Sequence, residues 1–200
     1  MLRIILSLGT LTALALPSTA QAQSDSPKTS RFFFTVGIGG HTMQDSVKME
    51  FGPEIFANVG YFIVPNRVSI GAEFAMSGHG TRNDSIFNTS ALAGHYVAEI
   101  RVFVTSAAKV GVYLAPRFGW TTWTADYIYD TDVHHFVAHG VLAGGRAGVA
   151  IPVTRMLRAE LGGTMDYGFY GDIVLEGYGV IAPDSKALQA GGYAGISFRF

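Results

Sequence analysis

Six histidines and no cysteine set the chemical vocabulary of this 200-residue chain. Without a thiol there is no disulfide, no thiolate metal site and no cysteine nucleophile. A serine nucleophile needs a general base within hydrogen-bond reach. The histidines that merit that test are His41, His95, His134, His135 and His139. Acids collect in two segments, Asp126, Asp130 and Asp132 within 122–135, then Asp172, Glu176 and Asp184 within 169–186. Asp130-x-Asp132 falls far short of a calcium loop, which needs several ordered oxygen ligands and a glycine. Solvated surface charge is its simpler reading. Trp123, Tyr127 and Tyr129 share the first of these segments, and aromatic enrichment is typical of partner-binding surfaces. A third set, Glu73, Glu99, Arg101, Arg117, Arg146, Arg158, Glu160, Asp166 and Arg199, is spread along the chain. Its members share one property: each sits on the polar parity of an alternating segment.

Those segments are what must position any chemistry. Hydrophobic residues make up 48% of the chain and charged residues only 14%, with 25 glycines. Disorder requires the opposite balance. A net charge of −1 leaves no electrostatic footprint for nucleic acid. Beyond residue 22 no apolar run reaches the roughly 18 residues of a spanning helix. The apolar content instead alternates, with the period of two that marks strands. Phe32, Phe34, Val36 and Ile38 open the pattern within 31–43. It recurs at 53–64, 67–77, 91–105, 109–121, 136–151, 156–168 and 187–200, giving eight strands. Tight links at Val64–Arg67, Ser106–Lys109 and Pro152–Arg155 alternate with longer connections near 44–50, 78–90, 122–135 and 169–186. An even strand number with short turns at one end and long loops at the other predicts an all-β, eight-stranded antiparallel up-and-down transmembrane β-barrel.

The charged parity decides which face is which. Five arginines against four acids is nearly balanced, as a closed lumen requires. Glycines of the same parity, such as Gly37, Gly60, Gly71, Gly111 and Gly162, leave room for long side chains in a narrow interior. The other parity is almost free of charge, as lipid exposure demands. Trp120, Trp123, Tyr127, Tyr129, Tyr96, Tyr167, Phe169 and Tyr170 form one aromatic belt; Phe198, Phe200, Tyr61 and Phe62 form the other. Arginine–carboxylate pairs in such a lumen are structural first, because a pair avoids the penalty of one uncompensated charge. Gly37-x-Gly39-Gly40 lies inside a strand and is no phosphate loop. No cofactor is expected.

Residues 1–22 carry Arg3, an apolar stretch from Ile4 to Leu16, Pro17 and the triplet Ala20-Gln21-Ala22. This is the layout of a cleaved signal peptide. A short tail over 23–30 follows, then the barrel over 31–200.

The ending Tyr193-Ala194-Gly195-Ile196-Ser197-Phe198-Arg199-Phe200 resembles the C-terminal targeting signal of Gram-negative outer-membrane proteins. With the leader and eight strands, the chain resembles the small OmpA/OmpX-type barrels without a C-terminal periplasmic domain. The resemblance implies location in the cell outer membrane, contact with outer-membrane lipids and lipopolysaccharide, and folding by the barrel-assembly machinery. Tyr193, Gly195, Phe198 and Phe200 would carry the assembly signal. An extracellular ligand or host surface would meet the long loops, at Trp123, Asp126, Tyr127, Tyr129, Asp130, Asp132, Asp172 and Glu176. Some barrels of this kind are enzymes acting on lipid A. The His-x-Ser arrangement of the deacylases is absent, since Gly140-Val141 follows His139 and Phe136-Val137 follows His135. The expected role is therefore non-enzymatic, envelope-structural or surface-interacting. A lipid A-modifying enzyme and a narrow solute channel are the alternatives.

Overall fold

A computed structural model describes residues 30–44, 49–80, 90–129, 132–175 and 179–200. The leader 1–22, most of the tail, Asp130 and Glu176 lie outside the described residues. Eight strands follow in chain order: β1 Phe32–Gln44, β2 Met49–Val64, β3 Val68–Gly80, β4 Ser90–Phe103, β5 Gly111–Tyr129, β6 Asp132–Pro152, β7 Leu157–Leu175 and β8 Gly179–Arg199. Each pairs antiparallel with its sequence neighbours, and β1 pairs with β8 to close the barrel. Closure leaves no unpaired sheet edge, the condition for strands to cross lipid.

The turns are short for stated reasons. Pro65 presets its own φ and Asn66 takes a left-handed φ of 58°, a region Asn tolerates better than most side chains. Arg67 N then donates to Val64 O at 3.0 Å. Asn66 also ties neighbouring parts together, accepting from Arg199 Nη1 on its side chain and from Ala107 N on its carbonyl.

The alternation sorts the two faces as expected over the middle of the wall. Ile38, Ile55, Val59, Ile100, Leu114 and Phe118 face outward and are exposed, while Glu73, Glu99, Arg101, Arg146 and Glu160 face inward and are buried. An apolar belt of this extent around a polar interior is a membrane barrel, not a soluble one.

Two sets of boundaries differ from the sequence expectation. The segments 122–135 and 169–186 are not loops: β5 and β6 stay paired out to Tyr129↔Asp132, and β7 and β8 out to Leu175↔Gly179. On β5 the apolar–polar alternation also changes phase above Trp120. Trp123 and Ala125 point inward and are buried, while Thr124 and Asp126 point outward and are exposed. On β5 the apolar side chains of this stretch therefore lie inside, while Leu92 and Val137, paired with Thr124 on the flanking strands, still face outward.

Candidate functional site

The lumen is stratified by chemistry. At the short-turn end Phe33, Phe62, Phe103 and Tyr113 pack with Ala107, Ala115 and Ala150 into a buried plug. Phe62, expected in an interfacial belt, is 2% exposed and belongs to this plug. Space for the rings comes from glycine. A Cβ on Gly60 would collide with the Phe33 ring, and one on Gly148 with the hydroxyls of Tyr113 and Tyr193.

Above the plug lies the ion-pair network. Arg146 holds Glu73 with both terminal nitrogens, at 2.5 and 2.7 Å, and reaches Glu99 at 3.3 Å. Arg117 bridges Glu73 and Asp166, each at 2.5 Å. Arg101 bridges Glu99 through Nε and Glu160 through Nη1 at 2.9 Å. Asn58 Nδ2 donates to Glu99 at 2.9 Å, and Tyr113, itself hydrogen-bonded to Tyr193, donates to Glu160. Aromatic rings lie beside the guanidiniums too: Arg101 is 5.0 Å from the ring centres of both Phe33 and Tyr113, and Arg146 is 5.4 and 4.6 Å from those of Phe56 and Tyr193. Fork pairing and ring stacking together are what arginine offers and lysine does not.

Seven of the nine expected lumen residues meet in this network. Arg158 and Arg199 do not join it by hydrogen bonds. Arg158 Nη1 donates to Lys109 O at 3.5 Å and Arg199 Nη1 to Asn66 Oδ1 at 2.7 Å, both at the turns. Arg199 also stacks on Phe62.

Nearer the hairpin end a second polar cluster appears that the sequence did not bring together. His41, His79 and His95 are each buried, beside Glu54 and Ser77. His41 Nδ1 lies 3.1 Å from Glu54 Oε2. Donor atoms of His41, Glu54 and His95 all fall within 4.8 Å of one another, the set among the described residues able to hold a metal ion. All five side chains sit on the lumen parity, a signal visible in sequence. Their convergence from β1, β2, β3 and β4 depends on strand register, which was not visible.

A third layer closes the lumen below the hairpins. Met43, Ala91, Ala93, Trp123, Ala125, Ala138, Tyr170 and Ala187 form one buried cluster. Trp123, a candidate for surface contact, is 3% exposed and meets Tyr170 edge-on at 6.1 Å. Trp123 and Tyr170 are thus interior residues, not interfacial ones.

The remaining surface candidates lie on the hairpins. Asp126 is exposed and pairs with His135 Nδ1 at 2.5 Å across β5 and β6. Asp172 is exposed on β7 beside Gly171, whose φ of 68° accompanies a break in register. Tyr127 is registered opposite His134 and Tyr129 opposite Asp132. His139 faces outward and stacks on Trp120 at 6.2 Å. Of the terminal set, Phe198 and Phe200 face outward, Tyr193 faces the lumen, and Gly195 is registered opposite Gly37.

No known protein family matches the sequence, and no curated protein does. Solved structures do match. Neisserial surface protein A aligns with a TM-score of 0.59 at 14% identity, over 84% of this chain and 97% of that one. A major outer membrane protein from Thermus thermophilus aligns with 0.54 at 13% identity, over 84% and 99%. Ail, the attachment invasion locus protein of Yersinia pestis, solved with the heparin analogue sucrose octasulfate, aligns with 0.54 at 13%, over 85% and 98%. The fold is that of the small outer-membrane β-barrels.

Proposed function

We propose that this chain is an exported outer-membrane barrel that acts at the cell surface through its β5–β6 and β7–β8 hairpins, in an envelope-structural or adhesin-like role. The observation that carries this is asymmetry of the wall. β5 to β8 run 19 to 21 residues, against 13 and 14 for β1, β3 and β4. Crossing a bilayer takes about 9–11. Half of the barrel therefore continues beyond the membrane by about eight residues, on the order of 25 Å along a strand. Outward Thr124 and Asp126 on β5 support the same reading, because polar side chains there suit water.

Outer-membrane lipids and lipopolysaccharide would surround the apolar belt, and the short turns would face the periplasm. The barrel-assembly machinery would engage Tyr193, Gly195, Phe198 and Phe200. Among the structural neighbours, Ail has been seen with a polysulfated sugar analogue. Here Asp126, Asp130, Asp132, Asp172, Glu176 and Asp184 outnumber Lys186 within 122–135 and 169–186 of the sequence. Charge complementarity thus favours a basic or neutral partner over a sulfated one.

The test replaces 124–137 and 172–183 with tight turns and displays both forms in a non-adherent Gram-negative host. Binding to immobilised basic, neutral and sulfated polymers is then measured. The full barrel should retain cells on the basic or neutral surfaces, and the shortened barrel should lose that by at least tenfold while still folding. Equal retention by both forms would refute a surface role for the hairpins. A shortened barrel that no longer folds would make them structural.

A further inference from the structure

We propose that the lumen cluster His41–Glu54–His95 is a binding site for a divalent first-row transition-metal ion of the zinc class. The argument begins at a backbone carbonyl. His79 Nδ1 lies 3.2 Å from Glu50 O, and a carbonyl only accepts, so Nδ1 carries the proton and Nε2 is left as an acceptor. Ser77 Oγ, 3.0 Å from His79 Nε2, must then donate its hydroxyl proton. Ser77 Oγ is also 3.5 Å from His41 Nε2 and has only a lone pair left to offer, so His41 carries its proton on Nε2. With His79 neutral, the polarity of the chain follows from end to end. It leaves the lone pair of His41 Nδ1 facing the carboxylate of Glu54 at 3.1 Å. A lone pair and an anion at that distance repel unless a positive species bridges them.

The geometry selects a metal ion as that species. Nitrogen and carboxylate donors about 2.0–2.2 Å from one zinc ion sit roughly 3.3–3.5 Å apart. The His41–Glu54 separation is close to that value with no rearrangement. His95 supplies the third donor: it is 3% exposed, and both of its ring nitrogens lack a hydrogen-bond partner. A buried imidazole with neither nitrogen satisfied is costly, and a ligand bond removes part of that cost. The three donor atoms already lie within 4.8 Å of one another, and Glu54, the least buried of the three, swings on a flexible stem.

Two surrounding features suit the same occupant. Among the described lumen carboxylates, Glu73, Glu99, Glu160 and Asp166 pair with arginine, whereas Glu54 pairs only with a histidine. Glu54 thus has no guanidinium in ion-pair contact, and Arg117 acts on it and on His95 only from farther off. Ser77 would hold the far nitrogen of His41, the outer-shell contact that orients metal-bound imidazoles. Glycines admit the rings, since a side chain on Gly191 would collide with His41 and one on Gly52 with His79. Two imidazoles and a carboxylate, with a remaining position for water, match the borderline-soft divalent ions and not calcium or magnesium. Such an ion would brace β1, β2 and β4 across the lumen.

The full chain, folded in detergent and stripped with a chelator, is titrated with zinc chloride by calorimetry. One ion should bind per barrel. His95→Gln and Glu54→Gln should each weaken binding at least tenfold, while His135→Gln and His139→Gln leave it unchanged. Heat-modifiable migration on gels reports folding. Should His95→Gln not fold, copper(II) electron paramagnetic resonance of the unsubstituted barrel takes its place. Coupling to two imidazole nitrogens that persists in the His135→Gln barrel supports the site. No saturable zinc uptake would overturn the proposal and leave a proton as the bridge, with His41 an imidazolium. Uptake indifferent to His95→Gln, or copper coupling lost in the His135→Gln barrel, would overturn it as well, placing the metal on the surface.

Discussion

Arg146 occupies the middle of the lumen network, with a fork on Glu73, a contact to Glu99 and the rings of Phe56 and Tyr193 beside its guanidinium at 5.4 and 4.6 Å. Its value lies less in attraction than in what its loss would strand. Removing one partner of a buried pair leaves the other charge uncompensated, at about 3–5 kcal/mol, while replacing both can be nearly neutral. Arg146→Met should therefore destabilise the barrel by about that much in urea unfolding from lipid vesicles. The double variant Arg146→Met/Glu73→Gln should recover part of the loss, although Arg117 then loses a partner as well. A single-variant cost under about 1 kcal/mol would mean that water reaches Glu73 in the folded barrel. Arg146→Lys should not rescue, because a point charge can neither fork onto a carboxylate nor lay a planar group against an aromatic ring.

At the scale of strands, period two made the wall legible: the eight segments and the two faces follow from alternation alone. It misled where its meaning changes. Trp123 reads as a surface residue because aromatic residues beside aspartates look like a binding loop, yet it points into the lumen, and on β5 the outward positions there are Thr124 and Asp126. The histidine cluster stayed hidden for another reason. Its members are near neighbours only through the pairings Glu54↔Ser77, Ala75↔His95 and His41↔Gly52, and one-residue slips in any of them would scatter it. The β1–β8 seam carries the element-scale prediction. Phe32 and Phe200 exchange backbone hydrogen bonds at 3.2 and 3.1 Å and stack at 6.4 Å. Phe200→Ser should lower the assembled fraction in cells severalfold, measured by heat-modifiable migration, while the purified chain still refolds in detergent. Equal failure in both settings would assign Phe200 to seam packing and withdraw it from the assembly signal.

The whole molecule is defined by where its outer face stops being apolar. Trp120 is exposed among lipid-facing neighbours, whereas Thr124, four residues farther along β5, is exposed beside outward Asp126 on its own strand and between Leu92 and Val137 of the flanking strands. A charge placed on either side of that boundary should be felt unequally. Phe118, 62% exposed, would in a water-soluble barrel tolerate arginine at little cost, since surface changes are usually within about 0.5 kcal/mol. In a bilayer the same change costs about 2–4 kcal/mol at the midplane and falls to about 0–1 near the interface. Phe118→Arg should thus destabilise the vesicle-inserted barrel by the larger amount, and Thr124→Arg by the smaller. In detergent micelles the difference should narrow, because headgroups and water can follow the guanidinium. Equal effects at the two positions in vesicles would mean that the belt around Phe118 does not lie in hydrocarbon, and the membrane reading of the apolar face would fall. A gradient in that order ties the exposed phenylalanines, the buried arginines and the inward Trp123 to one cause: a wall whose solvent changes along its length.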